Sequence, residues 1–215
     1  MSIEIDRASM ARHRTATSIR RLRFTILFLA MMLFANLFAG SLAFTLPRQM
    51  LADWGIGHDS LLLGEVFRLI TGIFLSHDPD MFIRQTVFAA AVIGYTERRR
   101  GPVRAALLFF SLDITGTVIL LACVGCAVGV VDLRSTNDVG MSIGGFGLIG
   151  VAIAEWRGKW LLPAALLLTI AVKFATSPDL LADGGHVLAL FSGFVLGGLL
   201  PCPQPSVSVE GGNAR

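Results

Sequence analysis

The chain is 215 residues long, 54% hydrophobic and only 15% charged, with a formal net charge of +3 and a mean hydropathy of +0.70. A soluble domain carries about 25% charged residues to keep its surface wet, so these values exclude an ordinary soluble domain and a disordered chain alike. Three Cys exclude a disulfide-stapled secreted module, the charge excess is too small to suggest nucleic-acid binding, and a polytopic membrane protein remains.

A membrane span needs roughly 20 mostly apolar residues, and six stretches approach that length. Residues 1–23 form a basic arm with Arg7, Arg12, Arg14, Arg20, Arg21 and Arg23, and the apolar run that follows it is too long and lacks the A-x-A-like exit of a cleavable signal peptide. The first span covers residues 24–46, interrupted by Asn36 and small polar groups. Residues 47–80 then form a long loop whose apolar pattern from Leu61 to Leu75 predicts one or two short helices lying in the membrane interface. The second span covers residues 81–96 and the third 103–130. The fourth, 140–156, and the fifth, 160–175, are short and rich in Gly or Ala, which places them inside a bundle rather than against lipid. The sixth covers 183–200, and a Pro-, Ser- and Gly-rich tail, 201–215, is expected to be disordered.

Charge asymmetry sets the orientation. The arm, the turn with Arg98, Arg99, Arg100 and Arg104, the turn with Arg157 and Lys159, and Arg215 lie on one side. The opposite loops hold Arg48, Arg68 and Arg134 against the acids Asp53, Asp59, Glu65, Asp78, Asp80, Asp132, Asp138, Asp179 and Asp183. The positive-inside rule makes both termini cytoplasmic and the protein a multi-pass component of the cell membrane.

Polar groups in a span are expensive, so they are the first candidates for function. Span four opens with Ser142 among Gly140, Gly144, Gly147 and Gly150, and span six opens with His186 followed by Ala189, Gly193 and Gly197 at four-residue spacing. Both spans start on the outer side, which puts Ser142 and His186 at similar depth. Small-residue faces let the two backbones approach closely, and a Ser beside an imidazole base is a sufficient nucleophile when packing orients the ring.

These residues carry a resemblance to the rhomboid family of intramembrane serine proteases, in its bacterial-type six-span form. The family's G-x-S-x and G-L-x-G segments are matched at Gly140, Ser142, Gly147, Leu148 and Gly150. Its H-x-x-G-x-x-x-G-x-x-x-G pattern is matched at His186, Gly193 and Gly197, with Ala189 in place of the first Gly. A G-x-x-E ending the second span is matched at Gly94 and Glu97, and a loop W-R pair stands here as Phe67-Arg68.

The resemblance implies an all-α bundle of six spans over residues 24–200 and a catalytic dyad, Ser142 as nucleophile and His186 as general base and then acid. It implies that Phe146, four residues after the Ser, packs on the imidazole. Gly144, Gly147, Gly150, Ala189, Gly193 and Gly197 become helix-packing positions, Gly140 belongs beside the oxyanion site, and Phe67 and Arg68 anchor the loop. The implied substrates are single-span membrane proteins cut near the outer end of their helix, with the lipid bilayer as the other partner and no metal or cofactor. The family's His and Asn oxyanion pair falls on Met81 and Gln85; Met81 cannot donate a hydrogen bond, whereas Gln85 can, through a side chain one methylene longer.

Other polar residues read structurally. Asp183 is expected to cap the sixth helix. Asp113 is expected to make a structural contact, for example with Thr115 or Thr117, away from Ser142. Arg84 and Lys173 should reach the outer headgroups or acidic loops. Cys123 and Cys126 line a helix face, and His58 and His77 are loop residues without ligand spacing. Two rivals remain: a catalytically inactive rhomboid-like protein that binds transmembrane helices, favoured by Met81 and Gln85, and a transporter or channel subunit, disfavoured by the lack of repeats and of a charged path.

Overall fold

The computed structural model describes residues 22–127, 131–156, 161–176 and 179–200. The basic arm up to residue 21, the end of the third apolar stretch, the turn bearing Arg157 and Lys159, and the tail fall outside the described residues. The helices, in chain order, are α1 (Arg23–Ala39), α2 (Arg48–Trp54), α3 (His58–Leu62), α4 (Arg68–Thr71), α5 (Pro79–Arg100), α6 (Pro102–Cys126), α7 (Val131–Arg134), α8 (Ser142–Ala154), α9 (Leu161–Thr176) and α10 (Leu180–Leu199). A single 3₁₀ turn, Gly72–Phe74, follows α4. Among the described residues there is no strand, only an isolated antiparallel bridge between Ile56 and Asp138.

The six longest helices fall on the six apolar stretches. Two of them, Pro102–Cys126 and Leu181–Leu199, are long and apolar enough by themselves to cross a membrane, while Arg23–Ala39 and Ser142–Ala154 are shorter apolar helices. Local chemistry fixes the ends of α5 and α6. Asp78 caps α5, its carboxylate accepting from the Met81 amide at 2.7 Å, and Pro79 occupies the first helical position. Gly101 has φ of +85° and turns the chain directly into α6, which starts on Pro102.

The first apolar stretch does not stay helical to residue 46. It stops at Ala39, where Gly40 takes the left-handed conformation at φ of +76°. Asn36 is the reason the next residues fold back. Its amide donates to the carbonyls of Met32 and Phe74, and its Oδ1 accepts from Ser41 Oγ and the Ser76 amide. A fully buried side chain thereby ties α1 to the loop on both sides.

The loop contains three short α-helices and a 3₁₀ turn rather than one or two helices. Gly64, at φ of +82°, breaks the apolar run between Leu63 and Glu65. Leu62, Leu63, Val66 and Phe67 are left exposed, while Ile73, Phe74 and Leu75 enter the core.

Helix α8 is the centre of the bundle, and its glycines face three neighbours. A Cβ on Gly144 would collide with Phe109 and Asp113 of α6, one on Gly145 with Phe88 of α5, and one on Gly147 with Leu112 of α6. Gly144 and Gly147 therefore admit α6 through their side-chain faces, not α10 as their spacing with Gly140 suggests. The close approach of α10 is made elsewhere: Gly193 rests on the Gly147 carbonyl, Gly150 on the Leu190 carbonyl and Phe194 amide, and Gly197 on Val151. Ala189 is fully buried near Gly116 of α6.

At the other end of α8, Arg99 and Arg100 of α5 both pair with Glu155. Glu97, also on α5 and 1% exposed, lies against the start of α1. Its two oxygens accept from the Phe24 amide at 2.9 Å, the Thr25 amide at 2.8 Å and Thr25 Oγ1 at 2.7 Å. A helix start without a capping side chain of its own is thus capped by a carboxylate more than 70 residues away.

Candidate active site

Ser142 is the first residue of α8 and His186 lies two turns into α10. Ser142 Oγ and His186 Nε2 are 2.9 Å apart. With the ring proton on Nδ1, the hydroxyl donates to Nε2, the arrangement in which an imidazole can take the proton as the oxygen attacks. The Phe146 ring stacks on the imidazole with centroids 4.1 Å apart and planes 18° from parallel. Phe146 is in turn held by Phe88 of α5 at 5.5 Å. Ring packing from α5 and α8 therefore fixes the plane of the His186 ring.

The start of α8 is held from α6. Asp113, 3% exposed, accepts from the Gly144 amide at 2.8 Å. This corrects the expectation that Asp113 sits away from Ser142: its carboxylate ends on the third amide of the helix that Ser142 begins. Nothing in the sequence pairs the two positions, and only the polarity of Asp113 inside an apolar helix marks it. The Gly145 amide bonds back to the Met141 carbonyl at 3.1 Å. Of the first-turn amides, those of Ser142 and Ile143 are left at the positive end of the helix, where no intrahelical acceptor reaches.

Asp183 is not the capping residue of α10. The cap is Asp179, whose carboxylate accepts from the Ala182 amide at 3.0 Å; Asp183, buried in the first turn, reaches back to the Asp179 amide at 3.2 Å. The helix starts about one turn earlier than its apolar run because two acids share the capping work.

Gln85 is buried and its amide is fixed by Ser76, whose hydroxyl donates to Oε1 at 2.9 Å. Its Nε2 then lies against the Cα of Gly140, with the Met81 methyl alongside. Gly140 has φ of +129° and no room for a Cβ, and its amide donates to the Gly72 carbonyl at 2.9 Å. A cleft of about 40 Å³ opens at Ser142, walled by Gly72, Ile73, Asp138, Gly140 and Ile143 among others. One water needs roughly 10–15 Å³ of such space, so about three or four fit. Neither Met81 nor Gln85 lines that cleft.

The loop is anchored by Arg68, whose guanidinium donates to the Ala52 carbonyl and to the Gly55 carbonyl at 3.2 Å, and pairs with Glu65 at 2.8 Å. Phe67 beside it is half exposed. His77 Nε2 meets Asp138 Oδ1 at 3.0 Å. That contact, its hydrogen bond above all, raises the His77 pKa over its ordinary 6.5 against the opposing effect of burial, with the charges of Asp138, Asp78 and Asp179 adding. Asp138 precedes Ser142 by four residues, so the pair ties the loop to the approach of α8. Arg84 pairs with Asp80 one turn away, while the Lys173 side chain falls outside the described residues. Cys123 and Cys126 are free thiols, and among the described residues no group of His, Cys, Asp and Glu could hold a metal.

No family model matches the chain, and no solved structure does. A curated relative, the Rhomboid-like protease 1 of Toxoplasma gondii, is 28% identical over 162 residues, covering 69% of this chain and 52% of the relative. The chain thus spans about half the length of the curated relative it matches. The match supports a rhomboid-like relationship and, with the apolar helices, a membrane protein. The relative lends no support to the bacterial form expected from the motifs.

Proposed function

We propose that the chain is an intramembrane serine endopeptidase of the rhomboid type, crossing the membrane six times with both termini cytoplasmic. Its substrates are single-span membrane proteins, cut near the outer end of their helix. The observation that carries the reading is the 2.9 Å contact of Ser142 Oγ with His186 Nε2 beneath a stacked Phe146 ring. Supporting it are the exposed apolar residues around the bundle, among them Leu27, Phe34, Phe38, Val87, Leu107 and Phe191, which suit lipid rather than water.

In this reading Ser142 Oγ bonds to the scissile carbonyl carbon as its proton passes to His186 Nε2. The carbonyl oxygen becomes an oxyanion facing the amides of Ser142 and Ile143 at the positive end of α8, which Asp113 holds in place through the Gly144 amide. The imidazolium then protonates the leaving amine, and the acyl bond to Ser142 breaks when a water in the cleft attacks it, His186 acting as base again. The phenyl–imidazole stack does the orienting that an acid does in a triad.

Met81 at the position of the family's oxyanion His favours a second reading, a helix-binding protein without activity. A serine-directed fluorophosphonate separates the two. The proposal expects labelling of the reconstituted chain that disappears in Ser142→Ala and in His186→Ala; a wild-type chain that stays unlabelled supports the inactive reading.

A further inference from the structure

A groove of about 470 Å³ lies between α5 and α8, starting about 9 Å along α8 from Ser142 and ending about 20 Å from it at one and a half Å of rise per residue. That is the size of a pocket for a small organic ligand. Its floor is apolar, made by Ala91 and Val92 of α5 and by Leu148, Ile149, Ala152 and Ile153 of α8. Its end is polar and aromatic: Tyr95, Arg99, Glu155 and Trp156.

The charges at that end do not balance. Glu155 is shared by two guanidiniums. Arg100 is buried with it, whereas Arg99 reaches it at 3.3 Å from the groove's edge with half of its side chain exposed. One carboxylate between two arginines leaves a full positive charge, and Arg98 and Arg104 stand exposed on the same turn. The Arg99 guanidinium lies 6.0 Å from the Tyr95 ring, which steers it along the groove. Trp156, 52% exposed, has the apolar body and polar N–H suited to the headgroup level.

We propose that this groove binds an anionic glycerophospholipid, its phosphate on Arg99 and an acyl chain along Ala91, Val92, Ile149 and Ala152. A basic pocket between spanning helices on the cytoplasmic side is the kind of site that takes such headgroups. An acyl chain satisfies the apolar floor that a free anion leaves wet, and the phosphate takes the charge that Glu155 leaves uncompensated. The inference rests on the membrane-spanning part of the proposed function and is independent of catalysis.

The test uses the full chain in detergent, with lipid retention read by native mass spectrometry and thermal unfolding read with added lipid. Phosphatidylglycerol should be retained at one per chain and raise the unfolding temperature; phosphatidylcholine and inorganic phosphate should do neither. Arg99→Gln should weaken phosphatidylglycerol binding about tenfold or more, the worth of a charge-assisted hydrogen bond. Ala91→Trp fills an exposed position of the groove while leaving every charge in place, and it should weaken binding as well. Arg84→Gln, at the far end of the same helix, and Ser142→Ala should not. Equal retention by wild type and Arg99→Gln, an equal shift with phosphate alone, or an equal loss in Arg84→Gln overturns the inference. Flotation with vesicles keeps the two readings apart: a chain that does not float contradicts the membrane reading, and one that floats but retains no phosphatidylglycerol contradicts the lipid site alone.

Discussion

The Cα of Gly193 rests on the carbonyl of Gly147, so close that no Cβ fits between α10 and α8. This contact sits two turns below His186 and sets how far the imidazole stands from Ser142. Gly193→Ala must push the helices apart, at a cost of about 1–3 kcal/mol for overpacking, and lengthen the hydrogen bond between the two candidate catalytic groups. Gly198→Ala, five residues on and with open space around its Cα, should leave both stability and fluorophosphonate labelling unchanged. Thermal unfolding and labelling of the pair check this; equal behaviour of the two variants contradicts it.

Asp113 gives a second prediction. Asp113→Leu removes the acceptor of the buried Gly144 amide and should cost about 1–3 kcal/mol for the orphaned donor. It should also slow cleavage by up to about a hundredfold as the start of α8 drifts. Asp113→Asn retains an oxygen acceptor and should restore most of both. Loss of turnover in Asp113→Asn equal to that in Asp113→Leu contradicts a role through the amide and points to the charge itself.

How much of this was legible beforehand depends on whether the cause is local. The six long helices follow from runs of apolar residues, and the close approach of α10 follows from Gly193 and Gly197 four apart, whereas the glycine spacing of α8 points to a face that in the structure receives α6. The cap of α10 is Asp179 rather than Asp183 although both are good capping residues, and choosing between them needs the position of the first helical turn. The loop holds one short helix more than its apolar pattern implies because α2 (Arg48–Trp54) lies ahead of the run from Leu61 to Leu75, which Gly64 divides between α3 and α4. Glu97 on the start of α1, Asp113 on the start of α8, and Asn36 reaching Phe74 and Ser76 are long-range hydrogen bonds. A sequence shows only that such side chains need a partner, not which one.

The His77–Asp138 contact predicts a pH dependence of the loop between α1 and α5. The folded pKa of His77 is raised, so the stability it contributes is fully present below the unfolded value of 6.5 and is lost as pH rises through the folded value. Unfolding temperature should fall as pH rises above 6.5 and through the raised folded value. The His77→Gln variant should lack that component. An identical pH profile in the variant contradicts the assignment.

Gln85 supplies the prediction closest to the chemistry. Its Nε2 lies on Gly140, and Ser76 holds its oxygen. If that amide reaches the oxyanion once a substrate carbonyl is seated, Gln85→Ala should lower cleavage by roughly 10²–10³-fold with the fold retained. Gln85→Asn should retain activity, and Met81→His, at a position outside the cleft that holds Ser142, should leave it unchanged. Unchanged turnover in Gln85→Ala assigns the oxyanion to the Ser142 and Ile143 amides alone.

The most direct test of the central claim is cleavage of a tagged single-span reporter by the full chain co-reconstituted in lipid vesicles, with fragments identified by mass spectrometry. The account predicts a cut near the outer end of the reporter's helix that is abolished in both Ser142→Ala and His186→Ala while both variants keep their unfolding temperature. Cleavage that persists in Ser142→Ala, or a folded wild-type chain that leaves susceptible reporters intact, would contradict it.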